Sequence, residues 1–284
     1  MRIRATVAAV SGALALSALA VPAAQADEVP ETFSAAAAVG SKAGSSSFDD
    51  SYGDTKVSNV VVNGGKAVVF GTSAGKTVKV TFTATDNSGI KQANAILWHG
   101  SSVDEADGGA ITSTPDSPAK CTKVTSTKST CVANFAMKPT THLVNDLAGT
   151  WKVFVAVQAK DGNYVIKENA KSFKIQRASK LTVNATPEPV KNGKTITVTG
   201  SLTRANWDTH KYAGYTQQSV KLQFKKKGTS TYKTVKTVKS GTGKSAGVLK
   251  TTVKASVDGT YRYSFAGSST SPAVSSSGDA VDVK

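Results

Sequence analysis

Long apolar runs, histidine, cysteine and helical periodicity are all scarce in this sequence. Beyond its first 26 residues, the chain of 284 residues has no strongly apolar stretch of the roughly 20 residues that span a bilayer. Its three histidines lie far apart at no metal-ligand spacing, and the zinc motif H-E-x-x-H is absent. We therefore expect no membrane span in the mature chain and no zinc enzyme.

The N-terminus carries the pattern of an export signal. Two arginines precede an apolar run over residues 5–21, and the small-residue sequence Ala-Gln-Ala ends at Ala26, before two acidic residues. A charged start, an apolar middle and an A-x-A site are typical of a cleaved signal peptide. We predict a signal peptide at residues 1–26 and a secreted mature chain that is either free or associated with the cell wall.

Only two cysteines are present, Cys121 and Cys131, and they flank a segment rich in Thr, Ser and Lys. A zinc site is disfavoured because the chain has no C-x-x-C pair and no histidine pair nearby. Outside the cell, two cysteines this close in sequence are expected to be oxidised. We predict a disulfide across a β-hairpin or its loop.

Acidic residues are scarce in the second half of the chain. Residues 27–178 contain 16 basic and 14 acidic residues, whereas residues 179–284 contain 17 and 5, so the net charges are +2 and +12. An asymmetry of this kind informs about partners and not about fold. It predicts an anionic partner for the second half.

Strand-like runs rich in Val, Thr and aromatic residues follow one another, with Gly, Asn, Asp or Pro in nearly every gap. In the run Thr77–Thr85, four apolar residues beginning at Val78 alternate with polar ones, which is typical of a half-buried strand. Residues 27–55 are small and polar and have no such period. We expect them to form a flexible N-terminal arm.

The second half repeats the first. The segment Gly75–Thr81 returns as Gly193–Thr199, and Gly149–Val155 returns as Gly259–Phe265, in the same order. Loops that differ in length between two related sandwich domains explain the small change of offset.

The early G-K-x-[VI]-x-V and the late G-T-[WY]-[KR] patterns resemble those of bacterial immunoglobulin-like modules in secreted actinobacterial proteins. The resemblance covers most of the mature chain. It implies an all-β protein with two tandem immunoglobulin-like β-sandwich domains, at residues 56–178 and 179–284, and it brings no catalytic residue. The first domain also resembles secreted proteins of this group that carry a loose calcium-binding label.

Two patterns associated with catalysis or nucleotides are better explained as turns. Gly243–Gly247 fits G-x-S-x-G around Ser245, but that motif requires a strand-to-helix turn and a later base. Here strand-like runs flank it and no histidine follows. Gly71–Thr77 is one residue short of a phosphate loop and runs into a strand. We predict a non-enzyme, with a small hydrolase as a remote alternative.

Tryptophan suggests a carbohydrate contact at one position. Trp151 stands in a repeated strand, where its counterpart is Tyr261, so we expect it in the core. Trp207 lies in the polar run Arg204–His210 and is the candidate for an exposed, sugar-stacking residue.

Acidic clusters offer a possible metal site. Calcium requires six to eight oxygen ligands, usually from several loops, and Asp86, Asp104 and Asp107 lie in polar segments between strands. No EF-hand spacing occurs, and the same segments are good turn sequences. No other cofactor is expected. A calcium-binding extracellular protein, with the metal held by these three residues, is therefore our alternative to a binding or structural module.

The lysine-rich segment Leu222–Lys244 is the candidate binding surface. Apolar and polar residues alternate strictly in Val220–Lys225, so its lysines are expected on the outer face of a sheet. Solubility and edge protection explain surface lysines in general, but a net charge of +12 exceeds that need. Nucleic acid is a poor partner for an exported chain that lacks exposed aromatics between its lysines. We predict binding to an anionic cell-wall or extracellular polymer through five lysines: Lys225, Lys226, Lys227, Lys233 and Lys236.

Overall fold

The computed structural model describes residues 49–111 and 119–284, without the side chains of residues 110 and 111. The predicted signal peptide at residues 1–26 and residues 27–48 of the predicted arm lie outside the described residues. Within the two described ranges, no helix combines the length and the apolar character needed to cross a membrane.

The prediction of an all-β protein with tandem β-sandwiches is confirmed. The strands of the first sandwich are β1 Asp50–Tyr52, β2 Lys56–Val62, β3 Val68–Phe70, β4 Lys76–Thr85, β5 Ile90–Gly100, β6 Ala106–Ile111, β7 Lys120–Lys123, β8 Lys128–Met137, β9 Gly149–Ala159 and β10 Tyr164–Arg177. One sheet has the order β1-β10-β9-β5-β6, with β3 also on β10, and the other has the order β2-β4-β8-β7. One turn of α-helix, α1 (Pro139–His142), connects β8 towards β9.

The second sandwich contains ten shorter strands. They are β11 Ser179–Leu181, β12 Asn184–Thr186, β13 Thr195–Asn206, β14 Lys211–Gly214, β15 Ser219–Lys226, β16 Lys233–Lys239, β17 Val248–Lys254, β18 Gly259–Phe265, β19 Val274–Ser275 and β20 Asp279–Val281. In one sheet β13 pairs with β11, β12, β14 and β17. The other has the order β16-β15-β18-β19, with β20 also on β18.

Alternation of side chains explains the central strands. In β4, Val78, Val80, Phe82 and Ala84 are buried and the residues between them are exposed or half-buried, as predicted. Successive side chains of a strand point to opposite faces, so one face of β4 packs into the core. By contrast, β9 is buried on both faces from Val153 onward, because its outer face packs in a second apolar cluster with Trp98 and Ile166.

The sequence repeats occupy equivalent places in the two sandwiches. The first motif forms β4 and β13, each of which lies between other strands of its sheet, and the second motif forms β9 and β18, each central in the facing sheet. A parallel contact also recurs, between β3 and β10 in the first sandwich and between Val190 and Val283 in the second. The two halves therefore share one strand plan.

The last residues of the predicted arm belong to the first sandwich, so the boundary placed at residue 55 is wrong. β1 pairs antiparallel with the start of β10. Asp49 accepts hydrogen bonds of 2.9 Å from Lys167 Nζ and from the backbone N–H of Glu168, and Thr55 is buried. The polar composition of β1 gives no strand signal in the sequence. Its pairing partners also lie more than a hundred residues away in the chain.

The predicted disulfide is confirmed. Cys121 and Cys131 are directly opposite each other in the β7–β8 pair and are bonded. Cys131 is fully buried in the core of the first sandwich. Closing so short a loop in the unfolded chain stabilises the fold by about 3 kcal/mol in the loop-entropy estimate.

The joint between the sandwiches is built around Trp207, which is fully buried. It lies at the turn between β13 and β14 of the second sandwich, yet its ring packs with the core of the first, edge-on to Phe70 at 6.5 Å between centroids. The indole N–H donates to the Gly71 carbonyl at 2.9 Å. The proposal of an exposed, sugar-stacking Trp207 is therefore corrected, because the neighbouring sandwich covers this side chain.

Polar contacts also join the chain segment around Trp207 to the first sandwich. Asn145 of the first sandwich accepts from the backbone N–H of Trp207 at 2.9 Å and donates to Asn206 and Asp208. Arg177, at the end of β10, donates from Nε to the Ala205 carbonyl at 2.6 Å. Its burial, with a smaller contribution from another arginine, lowers the pKa of Arg177 to about 10, so it stays charged at neutral pH.

Candidate functional site: a basic sheet face and a carboxylate cluster

The predicted alternation of β15 is confirmed. Val220 and Leu222 are fully buried in the core of the second sandwich, whereas Lys221 lies on the opposite, outer face and is exposed. Lys225 follows in the same alternation and is half-buried. The outer face of this sheet is therefore a lysine-bearing surface, and the core face is apolar.

The five predicted lysines do not share that face. Lys226 lies one residue beyond Lys225 and so points to the other side of the strand. Lys227 lies past the end of β15, where its Nζ forms an ion pair of 3.2 Å with Asp258. A backbone N–H from Val283, together with Lys227, holds the pKa of Asp258 below its ordinary value. The charge of Lys227 is therefore already matched.

Lys233 and Lys236 also lie away from the outer face. In the β15–β16 pair, Lys236 is opposite Leu222 and Lys233 is opposite Phe224, and directly opposed residues point to the same side of a sheet. An irregularity in the pairing around Val235 permits this register. Both lysines are exposed because β16 is an edge strand. Of the five predicted residues, only Lys225 belongs to the outer face of the sheet.

The outer face instead brings together cations from three strands. Lys239 of β16 is opposite Ser219, and Arg262 of β18 is opposite Gln223. With Lys221 and Lys225 of β15 they form a staggered row, which we call the cation ladder: Lys239, Lys221, Arg262 and Lys225. The strands β15, β16 and β18 contain no Asp or Glu at any position. Sequence reasoning missed Arg262, since only the β15–β18 register places it here.

Arg262 is held in place by two neighbours. Its guanidinium carbon lies 3.7 Å from the centroid of the Tyr232 ring, and its Nε donates to Gln223 Oε1 at 2.8 Å. Lys225 Nζ approaches the same ring at 5.3 Å. Cations over a tyrosine face are attracted to the ring electrons. Two positive charges are thus held at one ring, on strands without a carboxylate.

The end of this face farthest from the first sandwich is electrically mixed. A groove of about 450 Å³ there is lined by Lys225, Lys226 and Lys227 and also by acidic residues, including Glu188 and Asp282. Burial, and the nearby Asp279, raise the pKa of Glu188. Lys225 therefore borders this mixed groove, whereas Lys239, Lys221 and Arg262 are not among the residues that line it.

A carboxylate cluster lies at one end of the first sandwich. Asp54, Asp86 and Asp161 each place a carboxylate oxygen within 4.8 Å of the others. They come from three turns, after β1, β4 and β9 respectively. Asp54 and Asp161 are exposed and Asp86 is buried. Asn163 bridges the two exposed carboxylates through its side-chain amide.

The Asp86 carboxylate already accepts three hydrogen bonds. Thr55 Oγ1 donates at 2.6 Å, and Ser88 donates from its hydroxyl at 2.6 Å and from its backbone N–H at 2.8 Å. Burial acts to raise the pKa of Asp86, but the bonds from Ser88 and Thr55 together hold it below the ordinary value. These bonds connect the turn before β2 to the turn after β4.

The predicted calcium ligands are not brought together. Asp86 precedes β5, whereas Asp104 and Asp107 follow its end, and a strand of this length separates its ends by about 35 Å. Asp107 instead forms a contact of 2.6 Å with His99 Nδ1. The prediction of a single site from these three residues is therefore wrong, because it joined loops at opposite ends of the sandwich. The partners of Asp86 are Asp54, which was assigned to the arm, and Asp161.

The three histidines and the two motif-like segments lie in separate parts of the structure. His99 contacts Asp107, His142 accepts a backbone N–H from Lys138 at 2.9 Å, and His210 lies in the turn between β13 and β14. Ser245 lies in a single 3-10 turn between β16 and β17, as the turn interpretation predicted. Gly71–Gly75 connects β3 to β4 without a helix, and Lys76 and Thr77 are the first residues of β4.

The other two tryptophans are buried as well. Trp151 is fully buried in the core of the first sandwich, as predicted, and its indole N–H donates to the Leu147 carbonyl at 2.7 Å. Trp98 packs on the outer face of its sheet beneath Lys152, whose Nζ lies 4.2 Å from the ring centroid. No tryptophan therefore offers an exposed stacking platform.

Comparisons with known proteins give one family match and several similar solved structures. Residues 62–159, about a third of the chain, match a family of unknown function (DUF5707). No curated protein matches the chain. Similar solved structures include an amphioxus IgVJ-C2 molecule, at 10% identity and a TM-score of 0.25, covering 76% of this chain and 99% of that one.

A second similar structure is a chimeric titin Z1Z2 functionalised with a KLER exogenous peptide from decorin. It is 8% identical, covers 81% of this chain and 96% of that one, and has a TM-score of 0.23. These structural neighbours are immunoglobulin-like. At such scores the overlap carries no inference about function, and the description of the fold rests on the sheets themselves.

Proposed function

We propose that this chain is a secreted, non-enzymatic binding module whose second sandwich binds anionic polymers outside the cell, including those of the cell wall. The observation that carries the proposal is the outer face of β15, β16 and β18, which displays cations from all three strands and has no carboxylate on any of them. Four of the 17 basic residues in residues 179–284 lie on this face.

The positions of the acidic residues support this assignment. The second half has five of them, and none lies on the three strands of the basic face. Asp208 lies at the joint with the first sandwich, and Asp258 pairs with Lys227. Segregation of this kind produces a local positive potential that attracts polyanions from solution.

Two further features support an extracellular polymer as the partner. The disulfide between Cys121 and Cys131 is typical of proteins that function in an oxidising space. All three tryptophans are buried, so the chain offers no indole platform for stacking nucleobases. Anionic wall and matrix polymers are the abundant polyanions in that compartment.

The proposal is tested by binding of the whole chain from Asp27 onward to purified cell wall. The full chain is used because the two sandwiches share a buried joint at Trp207. We expect sedimentation with the wall at low salt and release as salt rises, since bound counterions are displaced on binding. A chain that stays in the supernatant at low salt, or stays bound in half-molar salt, contradicts the proposal.

Calcium binding to the first sandwich is the second candidate function. It is favoured by the convergence of Asp54, Asp86 and Asp161 within 4.8 Å. Calcium that binds only the folded chain would raise its melting temperature by mass action. We expect the increase in millimolar calcium, relative to chelator, to disappear in Asp161→Asn and to persist in Asp104→Asn. Equal melting temperatures in calcium and chelator contradict this candidate.

A further inference from the structure

We propose that the cation ladder, Lys239, Lys221, Arg262 and Lys225, is the binding site for a flexible linear polymer that carries one oxyanion per repeat. This inference rests on the proposed function and specifies which residues perform it. Three of the four residues differ from those that the sequence pattern selected.

The register gives the ladder a regular spacing. Its members lie level with Ser219, Lys221, Gln223 and Lys225 of β15, and residues two apart in a strand are separated by about 6.8 Å. Four cations therefore follow one another over about 20 Å along the strand direction. The row runs from β16 across β15 to β18 and returns to β15 at Lys225, so a flexible chain that bends at Arg262 meets a positive charge at each step.

Arg262 is the residue that gives this site more than a general positive charge. One face of its guanidinium lies on Tyr232 and its Nε is bonded to Gln223, so its orientation is fixed before a ligand arrives. Among the described residues, no carboxylate forms an ion pair with it. A guanidinium held in this way presents its two terminal nitrogens as a fork, which matches the paired oxygens of phosphate or carboxylate.

The ligand class follows from these features. A compact anion would occupy the fork but leave three of the four cations unmatched. A rigid multiply charged surface would fit poorly, because the four cations are staggered over three strands. A flexible polymer with one phosphodiester or one carboxylate per repeat satisfies both the spacing and the fork. These two sources share the same oxyanion chemistry and are separated by the choice of probe.

Two variants of equal charge test the assignment. The ladder variant carries K221Q, K225Q, K239Q and R262Q. The control variant carries K233Q, K236Q, K250Q and K254Q, which removes four exposed lysines from other faces of the same sandwich. Each is titrated as the full chain against poly(glycerol phosphate) and against polygalacturonate of similar length, over a series of salt concentrations. Circular dichroism verifies that both variants are folded.

We expect the ladder variant to lose at least about tenfold in affinity and to lower the slope of log K against log salt by about 3, since each of the four lost contacts removes about 0.7 released counterions on a single-stranded polyanion. The control variant should keep its slope. If only one of the two polymers binds, its charged group, phosphate or carboxylate, is identified as the group that the ladder recognises. Equal losses in both variants overturn the ladder but leave the proposed function standing, whereas no binding by the unmodified chain overturns both.

The role of Arg262 is tested separately. One variant keeps its charge and changes its shape, and two variants change the Tyr232 ring on which it lies. R262K retains the charge and removes the fork, so we expect a several-fold loss of affinity without a change in the number of ions released. Tyr232→Leu removes the ring beneath the guanidinium, whereas Tyr232→Phe retains it, so only the leucine variant should bind more weakly. Equal binding by Tyr232→Leu, Tyr232→Phe and the unmodified chain contradicts the positioning role of Tyr232.

Discussion

Lys152 and Arg262 occupy the same place in the two sandwiches and are used differently. Both follow the aromatic residue of the repeated G-T-[WY]-[KR] motif, and both lie over an aromatic ring, Trp98 and Tyr232 respectively. Lys152 also donates to the carbonyls of Gly100 and Ser101, at 3.0 and 3.3 Å, so a loop of the first sandwich covers its charge.

No such loop carbonyl bonds the Arg262 guanidinium in the described part of the second sandwich, where its one hydrogen-bonded partner is the Gln223 side chain. A shared strand plan thus places a cation at the same position twice, and the neighbouring loop decides whether that charge stabilises the fold or faces solvent. The repeat thus specifies the architecture of both sandwiches, and the residues beside it specify how the cation is bonded.

Removing the indole that joins the two sandwiches should have the largest effect. Trp207→Ala creates a cavity in a buried site and removes the bond to Gly71, so we expect a loss of about 3–5 kcal/mol in the free energy of unfolding. Denaturant unfolding followed by circular dichroism measures it, with Trp207→Phe as a milder control. A loss below about 1 kcal/mol would mean that the sandwiches are stable without this contact.

The carboxylate cluster distinguishes the first sandwich from the second, and its removal should have an intermediate effect. Asp86→Asn weakens bonds to a buried charged acceptor, so we expect a loss of about 1.5–3 kcal/mol at neutral pH. Asp104→Asn, on an exposed loop, should change stability by less than about 0.5 kcal/mol.

The effect of Asp86 should depend on pH in a defined direction. Its pKa is lowered in the folded chain, so its contribution is fully present above the unfolded value of about 3.9 and is lost as the pH falls through the folded pKa. The unmodified chain and Asp86→Asn should therefore differ in stability at pH 7 and converge in acid. A difference that persists unchanged into strong acid contradicts the role of the charged form.

The smallest expected changes sharpen the comparison of Lys152 with Arg262. Lys152→Met should lower stability by about 1 kcal/mol and leave polymer binding unchanged, since its charge already faces carbonyls. Arg262→Met should lower stability by less than about 1 kcal/mol and weaken polymer binding. Paired melting and titration of both variants measure this; equal effects on binding would remove the distinction between the two positions.

Local patterns in the sequence were sufficient for the strands, the tandem arrangement and the disulfide. Alternation in Val220–Lys225 identified the two faces of β15, because strand geometry has a fixed period of two. The position of Arg262 could not be predicted, since it depends on the register between β15 and β18, which no local period reveals. The sequence did not predict Asp54 as a member of the carboxylate cluster for a related reason. Its neighbour Asp161 lies on a turn 107 residues away in the chain.

Trp207 was misassigned because its local sequence is polar. The residues around it bond to the first sandwich, so their polarity satisfies an internal contact and not solvent. A polar segment that contains one large aromatic residue can therefore be a buried joint. Sequence reasoning separates the two cases only when the facing surface is known.

The indole of Trp207 also restricts how such a chain can be inherited. One sandwich contributes the ring, and the other contributes the site that receives it, where Phe70 packs on the ring and the Gly71 carbonyl accepts from its N–H. Suppose that recombination replaced one sandwich with an unrelated one. The Trp207 ring would then be exposed on the second sandwich, or the site for it would be empty on the first. The pair is therefore expected to pass through evolution as one unit, with the ring and its site changing together.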